Sequence, residues 1–221
     1  MGEKRELVIA LAGNANVGKS VIFNQLTGSH QIIGNWPGKT IERKEGYLIY
    51  KGYRIKIVDL PGIYSFSTYS EEEIISRNFI VEEKPDFVIN VVDALHLERN
   101  LFFTLQLFEL ETNVIIALNQ VDLLEKSEFK IDVKKLEEIL DVPVIPTVAI
   151  EGKGIEKVIE KCIEIYENKK IITPFKFKYG KEVEERIEKL IDLIDEKKFP
   201  KRWLAIKLIE GDEEIVKLFE D

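Results

Sequence analysis

Eight residues near the amino terminus, Gly13-Asn14-Ala15-Asn16-Val17-Gly18-Lys19-Ser20, match the spacing G-x-x-x-x-G-K-[ST]. They restrict the fold more than any other stretch, because the spacing works only where a buried strand feeds a glycine turn and a helix leads away from it. That context is met: residues 7–12 form an apolar run of strand length, and 19–26 have helical spacing. Gly13 and Gly18 let backbone N–H groups turn onto phosphate oxygens at a helix N-terminus, where the helix dipole favours an anion. Lys19 is then placed for the β- and γ-phosphates and Ser20 for a magnesium ion, with Asn14, Ala15, Asn16, Val17 and Val21 forming the wall of the loop.

The rest of the chain agrees with an α/β sheet covered on both faces. Strands are expected at 7–12, 40–50, 53–59, 87–92, 114–119 and 144–147, with surface helices at 97–111, 133–140 and 155–167. Lys51-Gly52 is a tight-turn pair and makes 40–59 a hairpin on the sheet edge. The alternation stops in a connector at 168–174, and the remainder is helical only. One helix is expected over 180–197, with Val183, Ile187, Leu190, Ile191 and Ile194 on its apolar stripe; Pro200 and Gly211 bracket a second, and a third follows Gly211. The division is 1–170 for the α/β unit and 171–221 for a helical one that is too small to stand alone, so a longer protein is expected.

Composition excludes several classes. Thirty-two Lys and Arg against 40 Asp and Glu leave a net charge of −8, which argues against a general grip on nucleic acid or anionic lipid, so an anionic ligand must be held locally. The single cysteine, Cys162, cannot form an internal disulfide and reads as helix packing in a reducing, cytoplasmic setting. No apolar run approaches the roughly 20 residues that span a bilayer, and the charged residues 1–6 do not make a signal peptide. His30 and His96 read as surface histidines, Glu71-Glu72-Glu73 as a solvated first helical turn, and Phe102, Phe103 and Phe108 as core and rim.

Three further stretches bear on chemistry. Asp59-Leu60-Pro61-Gly62 ends a strand where a metal-side carboxylate and a γ-phosphate-sensing glycine would stand. Asn119-Gln120-Val121-Asp122 ends another: the Asp122 carboxylate can accept from guanine N1–H and the 2-amino group, which adenine lacks, while Asn119 can bond N7 and brace the phosphate loop. Val148-Ala149 follows the last strand and places the Ala149 N–H near guanine O6. The loop Gly34 to Thr40 is rich in Gly and Pro and reads as mobile, bringing Thr40 to magnesium only when the γ-phosphate is present. Residues 30–40 and 60–77 are therefore expected to differ between nucleotide states.

Taken in this order, the motifs resemble the small GTPase superfamily, in its translation-factor-related branch. The string Gly34 to Thr40 with Ile41-Glu42-Arg43-Lys44-Glu45-Gly46, and the later Arg202-Trp203-Leu204-Ala205-Ile206-Lys207-Leu208-Ile209-Glu210-Gly211-Asp212, resemble the ferrous iron transport protein B family. The resemblance implies a P-loop GTPase fold with a mostly parallel six-stranded sheet and a small all-helical C-terminal domain. It further implies a slow, magnesium-dependent GTPase with Asn16, Lys19, Thr40 and Gly62 at the reacting phosphate. Magnesium would be held by Ser20, Thr40 and Asp59, and a potassium activator at Asn16. The implied setting is the cytoplasmic face of the cell membrane, beside a membrane-embedded iron transport region of the same polypeptide. A small iron-transport accessory protein and self-association belong to the same implication; nucleic acid does not. Ala15 stands where the family usually has Pro, Gln120 where most GTPases have Lys, and Val148 where Ser is usual, changes that bear on affinity rather than specificity. A soluble ribosome-assembly GTPase shares the same core, but the acidic charge and the lack of a basic extension count against it.

Overall fold

The computed structural model describes residues 5–66, 70–172, 174 and 176–220. Its centre is a seven-stranded sheet of β1 (Arg5–Gly13), β2 (Gln31–Asn35), β3 (Glu42–Tyr50), β4 (Tyr53–Asp59), β5 (Phe87–Asp93), β6 (Val114–Asn119) and β7 (Val144–Pro146), ordered β2-β3-β4-β1-β5-β6-β7. Pairing is parallel from β4 through β7 and antiparallel across β2, β3 and β4. β5 and β6 are buried at every position, which is why they are continuous apolar runs rather than alternating ones. The phosphate loop leaves the sheet at the C-terminal end of β1, between β4 and β5, where strand order reverses and ligands of such sheets lie.

Six strands were expected and the seventh is β2. Its residues Ile32 and Ile33 are 55% and 60% exposed, and it bonds only to β3, so it carries no core-facing alternation to read. Gly34 and Asn35, read as part of a mobile loop, belong to this strand, and β2 rather than the 40–59 hairpin forms the sheet edge. Thr40 and Ile41 lie before β3 in a turn closed by Trp36 N–H to the Ile41 carbonyl and Lys39 N–H to the Trp36 carbonyl, both 2.9 Å. The Lys51-Gly52 turn has φ of 47° and 83°, the paired positive values that match the twist of a two-residue hairpin.

The helices are α1 (Lys19–Thr27), α2 (Glu71–Asn78), α3 (Leu97–Glu109), α4 (Val121–Glu125), α5 (Val133–Leu140), α6 (Ile155–Glu167), α7 (Lys181–Leu193), α8 (Lys201–Glu210) and α9 (Glu213–Val216). Among the described residues no helix is long and apolar enough to cross a membrane. The acidic run does open a helix, with the Ser70 hydroxyl capping the Glu73 N–H at 3.2 Å, but Glu73 is 9% exposed and accepts from Ser65 Oγ at 3.0 Å, so this residue is not solvated. Cys162 and Phe103 are core as expected; Phe102 is rim, 58% exposed. α7 ends at Leu193 because Ile194 turns to extended backbone and buries its side chain.

The last three helices pack on the sheet unit rather than apart from it. Arg202 of α8 reaches the end of α3, donating from Nε to Glu109 Oε2 at 3.0 Å, from Nη1 to Glu184 Oε2 of α7 at 2.8 Å and from Nη2 to the Phe177 carbonyl at 2.8 Å. Burial pushes the Glu109 carboxyl up, whereas the Arg202 hydrogen bonds hold Glu184 down at about 2. The Glu184 contribution to stability is therefore complete above the ordinary carboxylate range and is lost as the pH falls toward 2. Arg202→Ala leaves two carboxylates facing each other at a closed seam, a loss of about 3–5 kcal/mol. At roughly 2–4 °C per kcal/mol for a chain of this size, the melting temperature should fall by about 6–20 °C, with weaker acid dependence; an unchanged melting temperature would show that the seam does not hold the helices.

Candidate nucleotide-binding site

The loop after β1 is shaped by three positive φ values: Gly13 at 147°, Asn16 at 65° and Gly18 at 92°. A Cβ on Gly13 would lie 2.5 Å from the Val91 carbonyl oxygen, and one on Gly18 would overlap the Asn119 side-chain amide, so neither glycine can be replaced without moving the loop. The loop lines a cleft of about 470 Å³ together with Lys19, Ser20, Val21 and Gly62. Gly62 closes on the loop, where a Cβ would stand 3.2 Å from Ala15 Cα, and the Ile63 N–H donates to the Gly13 carbonyl at 3.3 Å.

Within this cleft Lys19 and Asp59, 8% and 7% exposed, form an ion pair. A buried ammonium and carboxylate balance each other here, and a phosphate at the loop would compete for Lys19 and free the carboxylate. Asp59 closes β4 beside the loop, as expected for a metal-side carboxylate. Ser20 and Thr40 are both exposed, and Thr40 makes no hydrogen bond to Ser20 or Asp59 among the described residues. Residues 67–69, within the stretch expected to respond to the nucleotide, lie outside the described residues.

Asn119, 2% exposed at the end of β6, ties three segments together. Its Nδ2 donates to the Val17 carbonyl at 2.9 Å, and its Oδ1 accepts from the Ala149 N–H at 3.0 Å and from Thr147 Oγ1 at 3.2 Å. The expected brace on the phosphate loop is thus present, and the Ala149 N–H, read as a partner for guanine O6, is directed at Asn119. Val148 donates its N–H to the Lys153 carbonyl at 3.0 Å. Gln120 is left-handed, φ 64°, and swings the chain into α4 with Asp122 half-buried in the first turn.

Two features escaped the motif reading. Thr147, 1% exposed, orients Asn119 through its hydroxyl, a role that a strand-ending Thr does not signal. Asn14 is 3% exposed, and among the described residues neither of its amide atoms has a hydrogen-bond partner, a burial that costs about 1–3 kcal/mol.

Residues 7–162 match the model for "Ferrous iron transport protein B" and 179–221 that for the "FeoB cytosolic helical domain". The chain is 44% identical over 214 residues to an Fe(2+) transport protein A/Fe(2+) transporter FeoB fusion protein of Porphyromonas gingivalis, covering 94% of this chain and 25% of the relative. It is 41% identical over 212 residues to the Fe(2+) transporter FeoB of Escherichia coli K12, covering 94% and 27%. The chain thus spans about a quarter of the length of the curated relatives it matches. Among solved structures, the cytosolic domain of the T. maritima FeoB iron transporter in a GDP form superposes with a TM-score of 0.91 at 38% identity, covering 98% of this chain and 85% of that one. The same domain is known in apo and GMPPNP forms. With both matched regions in sequence order on one α/β sheet with a helical C-terminal part, this chain belongs to the ferrous iron transport protein B family.

Proposed function

We propose that the chain is the GTP-binding and slowly GTP-hydrolysing part of a ferrous iron transporter, with 1–170 forming the nucleotide-binding domain and 171–221 a helical spacer beside the cytoplasmic face of the membrane. The observation that carries this is the Asn119 hub, which joins the phosphate loop at Val17 to the guanine-side turn at Ala149. The forms of the T. maritima domain with GDP and GMPPNP support the same reading. The ribosome-assembly alternative has no support, since both matched models and the relatives above are of ferrous iron transport.

The loop amides around Gly13, Asn14, Ala15, Asn16, Val17, Gly18, Ser20 and Val21 bind the phosphates, and Lys19, turned from Asp59, neutralises the β- and γ-oxygens. Asp122 selects guanine while Asn119 holds the base pocket on the loop, with Gln120, Val148 and Ala149 around the base. The donor set fits magnesium: Asp59 carries a carboxylate that already demands a cation, and Ser20 and Thr40 add hydroxyl oxygens, the hard ligands this ion prefers. When bound, magnesium would neutralise charge on the β- and γ-phosphates. Thr40 and Gly62 sense the γ-phosphate, the first from the 36–41 turn and the second from its seat against Ala15. Loss of that phosphate releases both loops.

An iron pathway would lie in the three quarters of the relatives' length that this chain does not span, and the Porphyromonas gingivalis fusion favours a transport-protein-A-type accessory partner. Competition of GTP, GDP and ATP for a fluorescent GDP tests the reading: both guanine nucleotides should displace it, and ATP should fail by about 10⁴-fold because Asp122 would be left facing no donors. Equal displacement by ATP would overturn it.

A further inference from the structure

α2 and the π-helical turn that prolongs it, Phe79–Glu83, touch both the Thr40 turn and the helical segment. On one side Trp36, 7% exposed, meets the Phe79 ring edge-on at 5.7 Å, while the Arg43 guanidinium lies 4.8 Å from the Trp36 ring. Lys39 adds an ion pair to Glu71 at 2.7 Å. On the other side Arg77, 3% exposed, places its guanidinium 5.7 Å from the ring of Trp203 and 5.8 Å from that of Phe199, two rings stacked at 5.1 Å. The loop expected to be a mobile switch is thus anchored by a buried tryptophan, and the anchor and the helical segment are held by residues two positions apart.

The polar groups of this region are poorly served. Among the described residues, Trp36 Nε1, Ser76 Oγ, Arg77 Nη1 and Trp203 Nε1 are buried without a hydrogen-bond partner, and all four lie on α2 or on a tryptophan packed against α2 or its π turn. Two of these groups are on α2 and two on the rings that flank it, and buried polar groups of this kind call for a partner that a second arrangement can supply. The π turn adds a place where the helix can change register.

We propose that α2 with its π turn is a two-position lever in which Trp36 restrains the Thr40 turn and Arg77 is the positioning residue that ties the Phe199–Trp203 pair to the nucleotide state. The proposal rests on the nucleotide-switch reading above. For Thr40 to approach Ser20 and Asp59, the 36–41 turn must pivot on or leave Phe79. Phe79 and Arg77 share one turn of close-packed chain, so a shift at the first is felt at the second rather than absorbed between them.

The chain contains two tryptophans, Trp36 and Trp203, one at each side of the lever, so the protein labelled with 5-fluorotryptophan gives one ¹⁹F resonance per side, assigned with Trp36→Phe and Trp203→Phe. Both resonances should move between the GDP and GMPPNP forms. In Arg77→Met the Trp36 resonance should still move and the Trp203 resonance should not, with GDP affinity unchanged, and Arg77→Lys should restore part of the Trp203 shift. If Arg77→Met does not fold, Phe199→Leu loosens the same cage and should shrink the Trp203 shift alone. A Trp203 resonance identical in the two nucleotides, or one that moves as far without Arg77 as with it, overturns the lever while leaving guanine binding intact. Absence of GDP binding in the unaltered chain overturns the nucleotide reading itself and the lever with it.

Discussion

Asp122→Asn should turn the site from guanine to xanthine nucleotides. The carboxylate is half-buried in the first turn of α4, led there by the left-handed Gln120, and its two oxygens suit the paired N1–H and 2-amino donors of guanine. Each hydrogen bond to a charged group contributes about 1.5–3 kcal/mol; Asn loses the one to the 2-amino group and the charge behind the one to N1–H, so GTP binding weakens by about 10²–10³-fold. The amide of Asn offers one acceptor and one donor, and the donor suits the 2-oxo group of xanthine while repelling the 2-amino group of guanine. Asn119 and its ties to Val17, Thr147 and Ala149 are untouched, so the fold and the phosphate loop should persist. Titration with GTP and XTP checks this: GTP affinity equal to that of the unaltered chain would take Asp122 out of base recognition.

What could be read from the sequence was whatever local chemistry forces. The glycines of the phosphate loop could be placed because left-handed backbone beside Val91 and Asn119 admits little else, and β5 and β6 could be placed because a strand buried on both faces must be apolar throughout. The brace from Asn119 to the phosphate loop followed from the order of the motifs, but its ties to Thr147 and Ala149 did not. β2 was not legible, because an edge strand with exposed Ile32 and Ile33 obeys no core-facing pattern. Trp36 was read as part of a mobile loop since its neighbours are Gly and Pro, and nothing local announces the Phe79 ring 43 positions later that receives it.

The same contrast holds for charges. Lys19 and Asp59 were each assigned a ligand, and the structure adds that they pair with one another, a contact between residues 40 apart in sequence. Glu73 was read as a solvated charge, yet it is buried and accepts from Ser65; Arg77 and Arg202, for which the sequence offered no reading of burial, are largely buried too, beneath or within the helical segment. Sequence periodicity reports which face of an element is apolar; it does not report which polar residues a second layer will cover.

Asn16 should govern a potassium dependence of hydrolysis. Ile63, which follows Gly62, is apolar, 3% exposed and tied by its N–H to Gly13, so no side chain there can orient the attacking water, and intrinsic turnover should be slow. The loop contains no arginine, and charge developing on the transferred phosphoryl group still calls for a cation beyond Lys19. Asn16 is exposed, lines the same cleft as Lys19, Ser20 and Gly62, and presents a neutral oxygen donor suited to a weakly hydrated monovalent ion. Single-turnover hydrolysis should therefore run faster in KCl than in NaCl, by about 10²-fold if the ion replaces one preorganised charge-stabilising group. Asn16→Ala should erase the difference, but alanine is strained at a φ of 65°, where asparagine is tolerated, so a slow variant could reflect a distorted loop. Asn16→Gly separates the two causes, since glycine accepts that backbone and lacks only the side chain. If Asn16→Gly binds GDP normally and hydrolyses GTP equally slowly in both salts, the Asn16 side chain is what potassium needs. Equal rates in the two salts for the unaltered chain would place the stabilising charge on the loops that carry Thr40 and Gly62.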